Sequence, residues 1–77
     1  MSGPLTPLDL TDRQRDVAQL ITAGLSTKQI AVSLGVSQSR VRVIVSSIAY
    51  RIGADPSLDE RVQVALWWAG LALRPAA

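Results

Sequence analysis

The 77-residue sequence predicts an all-α fold, a four-helix bundle-like domain built around one core. Helix-start signals occur four times along the chain, and glycines stand where the first three helices should end. Between these signals, apolar residues recur with the 3.6-residue period of a helix. The composition, 48% hydrophobic and 18% charged, is typical of a globular chain and not of a disordered one. A chain of this length corresponds to a single domain.

The first two helices are predicted from capping boxes, in which a hydroxyl residue and a Gln three positions later satisfy each other's backbone N–H groups. Thr11 and Gln14 form the first box, and Gly24 ends that helix. Ser26 and Gln29 form the second box. The inward-facing residues are predicted to be Val17, Ala18, Leu20 and Ile21 in the first helix and Ile30, Ala31 and Leu34 in the second.

The third helix is predicted over Gln38–Arg51, with Ser37 as its N-cap and Gly53 after its end. A tight turn precedes it, where Gly35 supplies a positive φ and Val36 a buried contact. A core stripe at helical spacing comprises Val41, Ile44, Val45, Ile48 and Ile52. Residues 40–45 also alternate like a β-strand, but the stripe continues past them, so a helix is favoured.

The fourth helix is predicted to follow Pro56, to start at a capping box over Ser57–Glu60 and to run to about Leu73. One apolar face is expected to close the core: Leu58, Val62, Ala65, Leu66, Ala69 and Leu73. A second apolar stripe is expected to be exposed as a dimer interface: Val64, Trp67, Trp68 and Leu71. This stripe makes helix four a candidate C-terminal dimerisation helix, because an exposed stripe with a Trp is typical of an interface.

Composition excludes several classes of site. The chain has no Cys and no His, which excludes disulfides, thiolate or imidazole metal ligands and a Ser–His catalytic pair. The carboxylates of Asp12, Asp16, Asp59 and Glu60 lie in or near first helical turns, where negative charge favours the helix dipole. No nucleophile or base accompanies them, so we expect neither an enzyme, nor a cofactor, nor a metal site.

Charge is distributed unevenly along the chain. No Asp or Glu lies between Val17 and Ala54, while that stretch carries Lys28, Arg40, Arg42 and Arg51 and therefore a charge of +4. The flanking segments have four bases and six acids. A basic centre between acidic flanks indicates a polyanionic partner, although four charges could also form an ordinary solvated face.

Two short helices joined by a glycine turn, the second basic and free of acids, predict a helix-turn-helix that binds double-stranded DNA through the major groove. With the core stripe of helix three inward, the residues expected to contact bases are Ser39, Arg42, Val43 and Ser46. Arg42 can donate two hydrogen bonds to guanine, and Val43 can contact a thymine methyl group. The residues assigned to the DNA backbone are Ser26, Thr27, Lys28, Gln38, Arg40, Tyr50 and Arg51.

The same motifs resemble those of the LuxR-type (GerE-like) helix-turn-helix family. The matching segments are LTDRQRDV at 10–17, GLSTKQIA at 24–31, LGVS at 34–37, Val41-Arg42 and Ile52-Gly53. The resemblance implies four helices, a recognition helix in the major groove and a homodimer formed through the fourth helix. It also implies DNA-facing roles for Lys28, Arg42, Val43 and Ser46.

The chain departs from the family pattern at a few positions. Arg40 stands where Thr is common, Ile44 where His is common and Ser46 where some members have a base. The linker before helix four is one residue longer than usual. The departure at Ser46 indicates a different operator, and the longer linker indicates a different geometry of the dimer.

The expected domain organisation is a flexible arm over 1–9, the helix-turn-helix domain over 10–74 and a tail over 75–77. The favoured function is a small stand-alone homodimeric transcription regulator, located in the cytoplasm and not in a membrane. Two alternatives remain open. One is a domain like sigma-factor region four, and the other is a helical interaction module whose last helix binds another transcription protein.

Overall fold

A computed structural model describes residues 9–73, and their side chains as far as Gly70. It contains four helices: α1 (Asp12–Thr22), α2 (Thr27–Leu34), α3 (Gln38–Arg51) and α4 (Glu60–Leu73). No strand occurs within residues 9–73, so the all-α prediction is confirmed and the strand alternative for 40–45 is wrong. Residues 1–8 of the predicted arm, the predicted tail and the side chains of Leu71 and Leu73 lie outside the described part.

The first three helices begin at the positions predicted from their capping residues. The Thr11 hydroxyl accepts from the Gln14 backbone N–H at 3.1 Å, and the Gln14 side chain accepts from the Thr11 N–H at 2.9 Å. Ser26 and Gln29 repeat this reciprocal pair at 3.1 and 2.8 Å. Ser37 caps α3 through its hydroxyl. These caps satisfy backbone donors that helices otherwise leave unpaired, which fixes the three starting points.

The turn between α2 and α3 depends on one glycine. Gly35 adopts the left-handed conformation with φ +68°, which a residue with a Cβ adopts only with strain. The chain then reverses direction, and the Val36 N–H donates to the Ala31 carbonyl at 3.0 Å. Val36 itself is half-buried against the core. The turn therefore holds α2 and α3 at a fixed angle.

Helix α3 lies at the centre of the fold and packs against α1, α2 and α4. The largest fully buried side chains are Val17, Ile30, Val41, Ile48 and Val64. A partly buried hydrogen bond also joins α1 to α3, because the Gln14 amide donates to the Ser47 hydroxyl at 3.0 Å. Burial of the inner face of α3 leaves its opposite face available for a ligand.

The predicted start of the fourth helix is wrong by a few residues. Ser57 does not cap α4, which begins three residues later at Glu60. The Ser57 N–H and hydroxyl both donate to the Asp55 carboxylate, at 2.9 and 2.7 Å. Asp59 is the residue that caps the helix, and its carboxylate accepts from the Val62 N–H at 3.1 Å. Asp and Ser are comparable N-caps, and here Ser57 belongs to the turn with Asp55 while Asp59 caps the helix.

The predicted rotation of α4 is also wrong. Val64, expected in an exposed stripe, is fully buried, and Trp67 and Trp68 are half-buried against the core. Val62 and Leu66, expected in the core, are 54% and 68% exposed. Leu58, which precedes the helix, is exposed as well. The buried and exposed apolar faces of this helix are thus largely exchanged relative to the prediction.

Polar contacts at the start of α4 are consistent with this rotation. Apolar residues of α4 lie on more than one side of the helix, so their periodicity alone does not select the inward face. Arg61 points toward α2, where it donates to the Leu25 carbonyl at 2.6 Å. Val64 and Trp68 follow Arg61 by three and seven residues and therefore share its face. The contacts of Arg61 with the start of α2 and the burial of Val64 thus belong to the same face of α4.

Candidate nucleic-acid interface

The outer face of α3 is solvent-exposed along its length. The residues on it are Ser39, Arg42, Val43, Ser46 and Tyr50, all of them exposed. Val43 is 58% and Tyr50 88% exposed, so both side chains are available for contact with a partner. An exposed helix face of this kind has the dimensions to enter the major groove of B-DNA.

Arg42 lies near the middle of this face with its donors unengaged by acids. Within residues 9–70 it forms no ion pair. A guanidinium presents donors in a rigid fork that matches the two acceptors of guanine in the major groove. Val43 lies beside it and presents exposed methyl groups. This pair combines a polar and an apolar contact on adjacent positions of one helix.

Residues assigned to the DNA backbone are distributed over α2 and α3. Lys28, Gln38 and Arg40 are exposed, and they lie in the first turns of the two helices. Thr27 is half-buried. Arg51 lies nine residues after Arg42, about 13 Å further along the helix axis, so the structure does not group it with the N-terminal half of α3.

Arg51 and Ser26 both have partners within the protein. The Arg51 guanidinium donates to the backbone carbonyl of Asp9, just before α1. The Ser26 hydroxyl is engaged in its capping box. Sequence analysis did not single out Val32, which is 76% exposed on α2 beside Lys28 and adds an apolar surface to this side of the motif.

An acidic side chain that the sequence analysis did not place here lies against the outer face of α3. Glu60, the first residue of α4, accepts a hydrogen bond from the Ser46 hydroxyl at 2.8 Å. Arg42, Ser46 and Glu60 line one shallow concavity between α3 and α4. The segment between Val17 and Ala54 contains no acidic residue. In the fold, however, the Glu60 carboxylate lies against the surface that this segment forms.

Helix α4 is also joined to the start of α2. Arg61 donates to the Thr27 hydroxyl at 3.1 Å in addition to its bond with the Leu25 carbonyl. Thr27 is one of the residues assigned to the DNA backbone, so its hydroxyl is oriented by α4. The helix-turn-helix is therefore positioned by polar contacts from the last helix as well as by its own core.

Comparison with known proteins identifies the family. The family model described as "Bacterial regulatory proteins, luxR family" matches residues 8–67. The chain belongs to the LuxR family. The match spans most of the chain and contains all of α1, α2 and α3, so it confirms the family resemblance and the helix-turn-helix fold. LuxR-family domains of this kind are DNA-binding regulators and not enzymes.

Curated relatives agree with this assignment. The nitrate/nitrite response regulator protein NarL of Escherichia coli is 38% identical over 58 residues, which cover 75% of this LuxR-family chain and 25% of NarL. The two-component response regulator PprB of Pseudomonas aeruginosa is 37% identical over 77 aligned positions, covering 97% of the chain and 25% of PprB. The chain thus spans about a quarter of the length of these relatives. No solved structure gives a significant match.

The described part of the LuxR-family chain carries neither a membrane-spanning helix nor a cluster of metal ligands. Among residues 9–73, no helix combines the length and the apolar character needed to cross a bilayer. The same residues contain no group of three or more acidic side chains close enough together to hold a metal ion.

Proposed function

We propose that this LuxR-family domain binds specific double-stranded DNA sequences as a homodimer, with α3 in the major groove. The observation that carries the proposal is the exposed outer face of α3, on which Arg42 and Val43 lie side by side opposite the buried Val41, Ile44, Val45 and Ile48. A buried inner face fixes the rotation of α3, so these two side chains are held outward. Fixed orientation is what base-specific contacts require.

Contacts to bases and contacts to phosphates have separate roles in the proposal. Ser39, Arg42, Val43 and Ser46 are assigned to base edges, where hydrogen-bond patterns differ between base pairs. The residues assigned to the backbone are Ser26, Thr27, Lys28, Gln38, Arg40, Tyr50 and Arg51. Backbone contacts position the domain and supply affinity without distinguishing sequences.

The proposed dimer contact is the exposed apolar face of α4. Val62 and Leu66 lie one turn apart, and the segment from Val64 to Leu73 has no charged residue. A two-fold contact places the same patch on both copies, so an uncharged stripe is self-complementary where a charged one would repel itself. The sequence analysis named Val64, Trp67 and Trp68 as interface residues. In the structure Val64 lies in the core, and the two tryptophans pack against it.

A second use of the same face is the binding of another transcription protein. Exposure of Val62 and Leu66 is the observation that favours it, because contiguous exposed apolar residues are typical of protein interfaces. The two uses differ in stoichiometry. A chain that is monomeric both in free solution and on DNA would favour the protein partner.

Binding to duplex DNA as a function of salt tests the proposal. The purified protein should bind duplexes, and log affinity should fall linearly with log salt, by about 0.9 per neutralised phosphate. Arg40→Ala should weaken binding to all sequences alike and flatten that slope by about one phosphate. Arg13→Ala, which removes an exposed Arg on α1, is the matched control and should leave the slope unchanged. Absence of salt-sensitive binding to any duplex would contradict the proposed function.

A further inference from the structure

The contact between Ser46 and Glu60 joins the proposed base-reading face to the last helix. Ser46 is exposed on α3, and Glu60 is exposed at the start of α4. A carboxylate has no hydrogen to donate, so the 2.8 Å contact uses the hydrogen of the Ser46 hydroxyl. The hydroxyl oxygen keeps lone pairs that point to other partners.

From this geometry we infer that Glu60 is a specificity-determining residue that makes Ser46 an acceptor toward DNA. The inference rests on the proposed function and concerns one base contact within it. A free serine hydroxyl both donates and accepts, and therefore tolerates any base edge. Once its hydrogen is held by Glu60, Ser46 can only accept. It then selects a base that offers an amino group.

The major groove makes this distinction chemically meaningful. Adenine and cytosine present amino groups there, through N6 and N4, whereas guanine and thymine present acceptor oxygens. A Ser46 oxygen that only accepts is matched to the first two and is repelled by the carbonyl oxygens of the others.

Two features keep Glu60 available for this role. Within residues 9–70 it forms no ion pair, so no protein cation draws its carboxylate away from Ser46. It also lies in the first turn of α4, where the helix dipole favours a carboxylate. The capping bond of Asp59 to the Val62 N–H holds this turn in place at 3.1 Å. Glu60 is thus fixed beside Ser46 by the fold of α4.

Selection of bound duplexes from a random library, run in parallel on several variants, tests the inference. The unmutated chain should prefer adenine or cytosine at one position of each half-site. Glu60→Ala should relax that preference by about two- to tenfold, the range expected for one net hydrogen bond, and leave the other positions unchanged. Ser46→Ala should relax the same position. The double variant should behave like Ser46→Ala alone, because Glu60 acts through Ser46.

Two controls separate this role from charge and from folding. Asp16→Ala removes an exposed carboxylate on α1 and should leave every position of the selected sequence unchanged. Circular dichroism should show the same helix content for all variants. If Glu60→Ala keeps the original preference, or changes a different position from Ser46→Ala, the inference is overturned. If the unmutated chain enriches no sequence, the proposed function itself has failed, and the two failures are thereby distinguished.

Discussion

Arg61 of α4 donates to the backbone carbonyl of Leu25 at 2.6 Å, immediately before the capping box of α2. Its second guanidinium nitrogen donates to the Thr27 hydroxyl at 3.1 Å. The two bonds connect the helix proposed for dimerisation to the first helix of the DNA-binding motif. A change in the position of α4 is therefore transmitted to α2 by direct contact.

Removing this link should destabilise the domain. Arg61→Ala leaves the Leu25 carbonyl without its charged donor, and hydrogen bonds to charged groups contribute about 1.5–3 kcal/mol to the free energy of unfolding. In a domain of this size, each kcal/mol lowers Tm by about 4–8 °C. Thermal unfolding followed by circular dichroism measures the change. Arg13→Ala is the control, and equal Tm values for the two variants would show that the Arg61 contacts contribute nothing.

The rotation of α4 can be tested with two valines of the same helix. Val64 is fully buried, while Val62 is 54% exposed. Val64→Ala should lower the free energy of unfolding by about 2 kcal/mol, because it removes two buried carbons and leaves a cavity. Val62→Ala should change it by less than about 0.5 kcal/mol. The difference in helix propensity between Val and Ala is common to both variants and cancels. Equal losses in denaturant unfolding would contradict the observed rotation.

The proposed dimer should depend on the exposed face of α4. Val62→Glu and Leu66→Glu place charges on both sides of a two-fold contact, so each should give a folded monomer by analytical sedimentation. Val32→Glu is the matched control, since Val32 is 76% exposed on α2, away from α4. Trp68→Glu is a poor test of the interface, because the half-buried Trp68 packs against the core and its loss should unfold the chain. An unmutated chain that stays monomeric at high concentration and on DNA excludes this dimer.

The turn before α4 should be sensitive to acid. Two hydrogen bonds from Ser57, first from its backbone N–H and then from its hydroxyl, hold the pKa of Asp55 below its usual value. A lowered folded-state pKa means that these bonds stabilise the turn above the usual pKa and that this contribution is lost as pH falls through the lowered one. Ser57→Ala should raise the Asp55 pKa only partly, because the backbone donor remains. Carboxyl NMR titration measures both values, and an unshifted Asp55 in the unmutated chain would refute the argument.

Local sequence signals were sufficient for the first three helices. Thr11, Ser26 and Ser37 each cap the helix they predicted, and Gly35 takes the left-handed conformation that its turn requires. These features depend on residues within four positions of one another. The outward face of α3 could also be predicted, because the spacing of its core stripe depends only on residues close together in the sequence.

Features that depend on distant contacts could not be predicted in this way. On the inward face of α4, Arg61 contacts residues 34 and 36 positions earlier in the chain, and no periodic pattern predicts that contact. The hydrogen bond from Ser46 to Glu60 crosses the turn between α3 and α4. In the sequence, Glu60 belonged to an acidic flank. In the fold it borders the recognition surface.

Selection of bound sequences from a random duplex library by the unmutated chain tests the central claim most directly. A homodimer with α3 in the major groove should enrich an inverted repeat whose half-site centres lie about one helical turn, roughly 34 Å, apart. Arg42→Ala, with unchanged helix content, should lose a guanine preference worth about 1–3 kcal/mol at one position of each half-site. Enrichment of no sequence, or of one that Arg42→Ala leaves unchanged, would contradict base readout by α3.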